Sequence, residues 1–153
     1  MIEKQLVLQR INEFQIQDFL RKELANTGMS RIEIKRTPLG EKIIVYTSRP
    51  GLVVGRKGET IKRLTVVLKK KFKIENPQLE VGEIENPGLD PSTVAERIAY
   101  TLERFGAKRF KSIGYQSLQD IMDAGAKGAE IVISGKVPSS RAKSWRFKVG
   151  LLK

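Results

Sequence analysis

The chain has 153 residues, with 29 Lys and Arg against 17 Asp and Glu, a net charge of +12 and a pI near 10.1. Such a basic excess indicates a polyanionic partner or an anionic surface. Because the sequence contains no Cys and no His, disulfides, thiolate zinc sites and imidazole catalysis are excluded, whereas an oxygen-ligand Mg²⁺ site and lysine-based covalent chemistry stay open. We expect neither a metal nor a cofactor.

The first third of the chain predicts a helix and a strand pair. A helix is expected from about residue 5 to 26, with its apolar positions on one face and Gly28 as its stop. A half-buried strand follows around residues 31–35. The turn residues of 38–40 then predict antiparallel pairing with a second strand over residues 42–48.

The next segment is the most informative part of the chain. After a break at residues 49–51, Gly55-Arg56-Lys57-Gly58 precedes an apolar stripe of helical spacing, formed by Ile61, Leu64, Leu68 and Phe72. Glycine lets a phosphate backbone approach the loop, the start of the helix favours an anion, and the two cations add charge. Lys62 and Arg63, one turn into the helix, could reach the same strand. A strand over residues 79–84 follows.

Other charged and glycine-rich segments are less specific. Residues 125–128 repeat the Gly-x-x-Gly spacing, but they precede an apolar alternating run and predict a turn. The run Lys69-Lys70-Lys71 has two equally good interpretations, a solvated helix face and an RNA contact. The acids, in contrast, gather between residues 75 and 96, where no Lys or Arg occurs.

The order strand, short helical turn, Gly-x-x-Gly, long helix and strand resembles a KH domain. The stretch from Val53 to Ile61 resembles the KH signature, and the helix and strand before it resemble the type II arrangement. The resemblance implies a loop that clamps about four nucleotides of single-stranded RNA. We predict an α+β fold in which residues 1–88 form this domain, a three-stranded sheet with helices on one face.

A boundary at residues 86–91, rich in Pro and Gly, predicts a second, small α+β domain over residues 89–153. Asp90 can cap and Pro91 can open its first helix, which Gly106 ends. The remaining elements predicted are a helix over residues 115–124 and strands over 129–134 and 141–149.

The last strand alternates aromatic or apolar residues with basic ones. Trp145 and Phe147 could stack on RNA bases, but we favour the interpretation that they cover a small core. The basic side, with Arg146 and Lys148, would then meet phosphate.

Four segments resemble one KH-containing family, the universal small-subunit ribosomal protein three in its archaeal type. They are residues 33–40, 75–78, 94–99 and 124–136, the last of which reads Ala-Gly-Ala-Lys-Gly-Ala-Glu-Ile-Val-Ile-Ser-Gly-Lys. The resemblance implies a structural, non-catalytic place on the head of the small subunit. Its implied partners are ribosomal RNA, messenger RNA on its way to the decoding site and neighbouring ribosomal proteins.

The resemblance is incomplete at two places. Family members continue beyond the position of Lys153 with a further strand, so the second domain is expected to be incomplete here. Bacterial relatives place cations just after the position of Phe110 that help to open structured messenger RNA. Lys111 matches one of them, but Ser112 and Tyr115 occupy two others.

The sequence thus predicts a set of RNA-binding residues and leaves two alternative functions. The set comprises Gly55, Arg56, Lys57, Gly58, Lys62, Arg63, Lys108, Arg109, Lys111, Arg141, Lys143, Arg146 and Lys148. One alternative is a stand-alone KH-type RNA-binding regulator. The other is an abasic-site lyase, with Lys127 and Glu130 as the reacting pair. It is suggested by eukaryotic relatives that are credited with cleaving damaged DNA.

The expected location is the cytoplasm, on the ribosome. No stretch approaches the roughly 18 apolar residues of a transmembrane helix, and the first residues lack the apolar core of a signal peptide. We therefore expect no membrane partner.

Overall fold

A computed structural model describes residues 1–152, which divide into two compact units, Met1–Ile84 and a second unit that begins at Glu85. The elements of the first unit are α1 (Ile2–Glu23), β1 (Met29–Thr37), β2 (Gly40–Thr47), α2 (Pro50–Val54), α3 (Glu59–Phe72) and β3 (Gln78–Glu83). Those of the second are α4 (Pro91–Phe105), α5 (Phe110–Asp123), β4 (Gly128–Gly135) and β5 (Lys143–Gly150). Within residues 1–152, no helix combines the length and apolarity needed to cross a membrane.

The first unit contains the predicted three-stranded sheet, in the order β1-β2-β3. The pairing of β1 with β2 is antiparallel, as the turn residues predicted, and β2 pairs with β3 in parallel. The parallel pairing requires the chain to cross over between β2 and β3, and α2 and α3 form that crossover. The Gly55–Gly58 loop is therefore the corner of a crossover.

One face of this sheet packs on the helices. Alternate strand residues such as Ile43 and Val45 are fully buried against α1 and α3. The helices contribute Leu20, Leu64 and Leu68, each at most 1% exposed. The α+β prediction with helices on one face is confirmed, and the packing anchors α3 behind the loop.

The first helix ends earlier than its apolar pattern predicted. It covers Ile2–Glu23 rather than residues 5–26. Asn26 has a positive φ of 68°, and the Thr27 hydroxyl donates to the carbonyl of Leu24 at 2.7 Å. The chain thus turns out of the helix before it reaches Gly28.

In the second unit, two helices pack with a two-stranded antiparallel sheet, β4-β5. Asp90 caps α4 as predicted, since its carboxylate accepts from the backbone N–H of Thr93 at 2.8 Å. The aromatic side of β5 faces the core: Phe147 is buried and Trp145 is half-buried beside Phe110, at a ring separation of 4.9 Å. This confirms the interpretation that the two β5 aromatics cover a core.

Helix α5 begins five residues before the predicted start at Tyr115. Phe110 and Ile113 are buried in its first turns, and Gly114 lies against the ring of Phe147. The glycine interrupts the apolar pattern in the sequence, although here it provides room for an aromatic ring.

Candidate nucleic-acid interface

The Gly55–Gly58 loop has a backbone that only glycine forms easily. Gly55 has φ 74° and ψ −179°, and Gly58 has φ 74° and ψ 16°. Lys57, between them, also has a positive φ of 52°. Conformations near that of Gly55 are essentially restricted to glycine, and that of Gly58 is left-handed. The chain therefore turns sharply from α2 into α3.

The two glycines face different surroundings. A Cβ added to Gly55 would stand 2.9 Å from the Cβ of Thr60, so this glycine is needed inside the loop. A Cβ on Gly58 would meet nothing within 4 Å. The backbone at Gly58 is therefore open to a ligand, which fits the predicted approach of a phosphate.

The loop cations and those of α3 share one open groove of about 720 Å³. Its lining includes Arg56, Lys57, Lys62 and Arg63 together with Glu59, Val66 and Val67. The four cations are exposed. The structure thus brings the predicted loop and helix residues together on one surface of the first unit. The N–H groups of the first turn of α3 lie at the same end of the helix, where its dipole favours an anion.

A second corner between α4 and α5 begins with a glycine in the same conformation. Gly106 has φ 83° and ψ 153°, close to the conformation of Gly55, and one turn of 3₁₀ helix over Ala107–Arg109 then leads into α5. The hydrogen bonds also correspond. The N–H of Gly106 donates to Leu102 at 2.9 Å and that of Arg109 to Gly106 at 3.4 Å. The corresponding bonds at the first loop are 3.0 and 3.4 Å.

The second corner carries the predicted cations Lys108 and Arg109, both exposed. Their charge was predicted from the sequence, but the conformation that Gly106 shares with Gly55 was not, because residues 106–109 lack a second glycine. At the position of Gly58 stands Arg109, whose φ of −91° is not left-handed. A useful signal was present: a glycine at a helix end, two cations and then an aromatic residue. Lys111 follows on α5, with its Nζ 5.3 Å from the centre of the Trp145 ring.

The predicted cations of the last strand are divided by the structure. Arg141 lies in the loop before β5, and Lys143 is its first residue. Arg146 and Lys148 lie on the sheet face away from Phe147. The Nε of Arg146 is 2.9 Å from Oε1 of Glu130 on β4. Part of this positive charge is therefore balanced within the sheet.

The second Gly-x-x-Gly segment is a turn, as predicted. Gly125, with φ 99°, follows the end of α5, and its N–H donates to Met122 at 2.9 Å. The lysine of this turn, Lys127, is exposed. Because Glu130 is already paired with Arg146, the geometry does not favour a reacting Lys127–Glu130 pair. Within residues 1–152, no group of three or more Asp or Glu side chains could hold a metal ion.

Several known proteins match this chain along its whole length. A family model described as KH domain matches residues 15–89, which include the Gly55–Gly58 loop. The small ribosomal subunit protein uS3 of Methanocaldococcus jannaschii is 40% identical over 153 residues, which cover all of this chain and 73% of that relative. The protein of the same name from Methanococcus maripaludis strain C5 is 39% identical, with 72% of its length covered. That of Methanothermobacter thermautotrophicus is 40% identical, with 58% covered.

Proposed function

Because the chain belongs to the family of small ribosomal subunit protein uS3, we propose that it is a structural RNA-binding protein in the head of the small ribosomal subunit. The family prediction and the KH domain are both confirmed. The observation that carries the proposal is the 40% identity along the entire chain. It is supported by the Gly55–Gly58 loop, the KH loop of this chain, whose two glycines have conformations that favour glycine. Ribosomal RNA is the principal partner, and messenger RNA and neighbouring ribosomal proteins are the others.

In this proposal the first unit contacts RNA through residues 55–58 and the start of α3. The open backbone at Gly58 admits a phosphate group, and Arg56 and Lys57 neutralise it. Such contacts position RNA without reading its bases. Because phosphate contacts release counterions, the affinity should fall steeply as salt rises.

The second unit lines the path of messenger RNA at its entrance to the subunit. Lys108 and Arg109 lie on the α4–α5 corner, which begins with a glycine in nearly the conformation of Gly55. Lys111 lies in the first turn of α5, and Arg141 and Lys143 lie in and beside the loop that precedes β5. The protein performs no catalysis in this role, and we retain the assignment of residues 1–88 and 89–153 as its two functional domains.

The experiment that tests the proposal is a sucrose-gradient fractionation of a cell lysate at low and at high salt. The protein should migrate with small subunits and leave them only under stringent stripping. Migration at the top of the gradient at every salt concentration would contradict the ribosomal role and favour a stand-alone RNA-binding regulator. A variant with Arg56→Gln and Lys57→Gln, run in parallel, should be stripped at lower salt than the wild type.

A further inference from the structure

The outward face of α3 carries four exposed cations in two pairs. Lys62 and Arg63 are followed seven residues later by Lys69 and Lys70. Residues seven apart lie on the same side of a helix, about 10 Å apart along its axis. The core residues Leu64 and Leu68 occupy the opposite side. The neighbouring Lys71 is not part of this group, because its Nζ lies 4.7 Å from the centre of the Phe19 ring on α1. We call the four residues 62, 63, 69 and 70 the α3 ridge.

The α3 ridge continues the positive surface of the KH loop. Arg56 and Lys57 line the same groove as Lys62 and Arg63, so that three cation pairs follow one another along the chain at intervals of six and seven residues. The single acid in the groove lining is Glu59. A polyanion held at the loop can therefore extend along α3 and meet one pair of cations after another.

The ridge is positive because its charges are not balanced within the unit. On the sheet, each of the four cations Arg31, Lys35, Arg36 and Lys42 has a carboxylate within 4.0 Å. On the ridge, the only such contact among residues 1–152 joins Arg63 to Glu23, at 3.7 Å. Uncompensated like charges repel one another in the free protein. Their concentration on one helix face indicates a surface that is completed by an anionic partner.

The chemistry of the ridge distinguishes two forms of RNA. Single strands are held by stacking their bases on aromatic side chains as well as by charge. The four residues of the α3 ridge are all Lys or Arg, and the apolar residues of the adjoining groove are Val66 and Val67, so the ridge itself offers no ring on which a base could stack. An RNA duplex instead presents a fixed array of phosphates and 2′-hydroxyls, which proteins recognise mostly by shape and charge. The α3 ridge suits recognition of this kind, since it offers regularly spaced cations on a rigid helix.

We propose that the α3 ridge binds the phosphate backbone of an RNA duplex, whereas the adjoining Gly55–Gly58 loop contacts a single strand. The proposal rests on the RNA-binding function proposed above, and it names the form of RNA that this face recognises. Each ridge cation pairs with one phosphate, without base readout. The binding should therefore be insensitive to the sequence of the duplex and sensitive to salt.

The test uses the full chain, two RNA probes and a matched control. The ridge variant carries Lys69→Gln and Lys70→Gln, which retain good helix formers at exposed positions and leave the cations of the loop groove in place. The control variant removes two exposed cations elsewhere in the first unit, through Lys4→Gln and Arg21→Gln. The probes are a 16-base-pair RNA hairpin and a single-stranded RNA of eight nucleotides, and the measurement is fluorescence anisotropy over a series of salt concentrations.

We expect the ridge variant to bind the hairpin at least about tenfold more weakly than the wild type. The slope of log affinity against log salt concentration should be smaller by about one for each phosphate that is no longer neutralised. Its affinity for the single strand, and the affinity of the control variant for the hairpin, should change by less than about threefold. An equal loss by the ridge and control variants would overturn the proposal, since net charge alone would then explain it. Wild-type binding to the single strand but not to the hairpin would overturn the duplex site and leave the proposed function standing. Binding to neither probe, with the protein absent from small subunits, would contradict both.

Discussion

The backbone of Gly55 lies directly against the side chain of Thr60, so that a Cβ added to Gly55 would stand 2.9 Å from the Cβ of Thr60 and 3.2 Å from its backbone nitrogen. Thr60 belongs to the first turn of α3. The contact therefore joins the glycine at the end of α2 to the start of the helix that carries the cations. It makes Gly55 a structural member of the loop and leaves Gly58 as the residue that faces outward.

This difference predicts unequal effects of the same substitution at the two glycines. Gly55→Ala should lower the free energy of unfolding by about 1–3 kcal/mol through its backbone conformation alone, and by more through the contact with Thr60. Gly58→Ala meets no neighbouring atom within 4 Å, and should cost about 1 kcal/mol for its left-handed conformation. Urea denaturation followed by circular dichroism measures both values. Equal losses of stability would contradict the assignment of separate roles.

The loop cations should affect RNA binding without affecting stability. Arg56 and Lys57 are exposed and line the groove, so Arg56→Gln with Lys57→Gln should leave the unfolding transition unchanged. The variant should bind single-stranded RNA more weakly, and its salt slope should fall by about 0.7 for each phosphate that the variant no longer neutralises. The control is Lys4→Gln with Arg21→Gln, which removes the same charge from α1. If the salt slope of the loop variant equals that of the wild type, these cations do not contact phosphate.

Much of the first unit could be predicted from sequence because its signals are local. Ile43 and Val45 alternate as a half-buried strand requires, and Leu64 and Leu68 repeat at helical spacing beside the glycines of the loop. Each of these residues is at most 1% exposed in the structure. The parallel pairing of β2 with β3 was not predicted, since strand direction depends on the path of the whole crossover and not on any one segment.

The features missed in the second unit depend on contacts between distant residues. Gly114 looks like an interruption of a helix in the sequence, but the space it leaves is filled by the ring of Phe147, 33 positions away. Gly106 is visible as the end of a helix, whereas its similarity to Gly55 appears only in the backbone angles. Periodicity along the chain reveals neither of these relationships.

The contact between Gly114 and Phe147 can be tested by substitution. A Cβ at Gly114 would stand 2.9–3.1 Å from three atoms of the buried ring. Overpacking of this kind costs about 1–3 kcal/mol, whereas Ala gains up to about 1 kcal/mol over Gly inside a helix. Gly114→Ala should therefore destabilise the second unit by about 1 kcal/mol. The only tryptophan of the chain, Trp145, lies in this unit, so its fluorescence follows the unfolding selectively.

The matched control for Gly114→Ala is Gly51→Ala in α2, where an added Cβ would meet nothing within 4 Å. This change should be neutral or stabilising by up to about 1 kcal/mol, measured by circular dichroism. If the unfolding midpoint of Gly114→Ala, followed by tryptophan fluorescence, is unchanged or raised, the ring of Phe147 moves aside without a loss of stability.

The α4–α5 corner should contribute to RNA binding independently of the KH loop. Lys108 and Arg109 are exposed beside Gly106, and they belong to the second unit, whereas Arg56 and Lys57 belong to the first. Effects at sites without shared contacts usually add in free energy. Lys108→Gln with Arg109→Gln should therefore weaken the binding of a long single-stranded RNA by the same factor in the wild type and in the loop variant.

The control for the corner variant is Lys127→Gln with Lys136→Gln, which removes two exposed cations from the same unit outside the corner. Anisotropy titrations of the four combinations of loop and corner variants give the two factors directly. If the corner variant binds as tightly as this control, the similarity of the two corners is one of backbone shape alone. If the corner substitutions weaken binding only while the loop is intact, the two contributions are coupled, and the independence expected of the corner is contradicted.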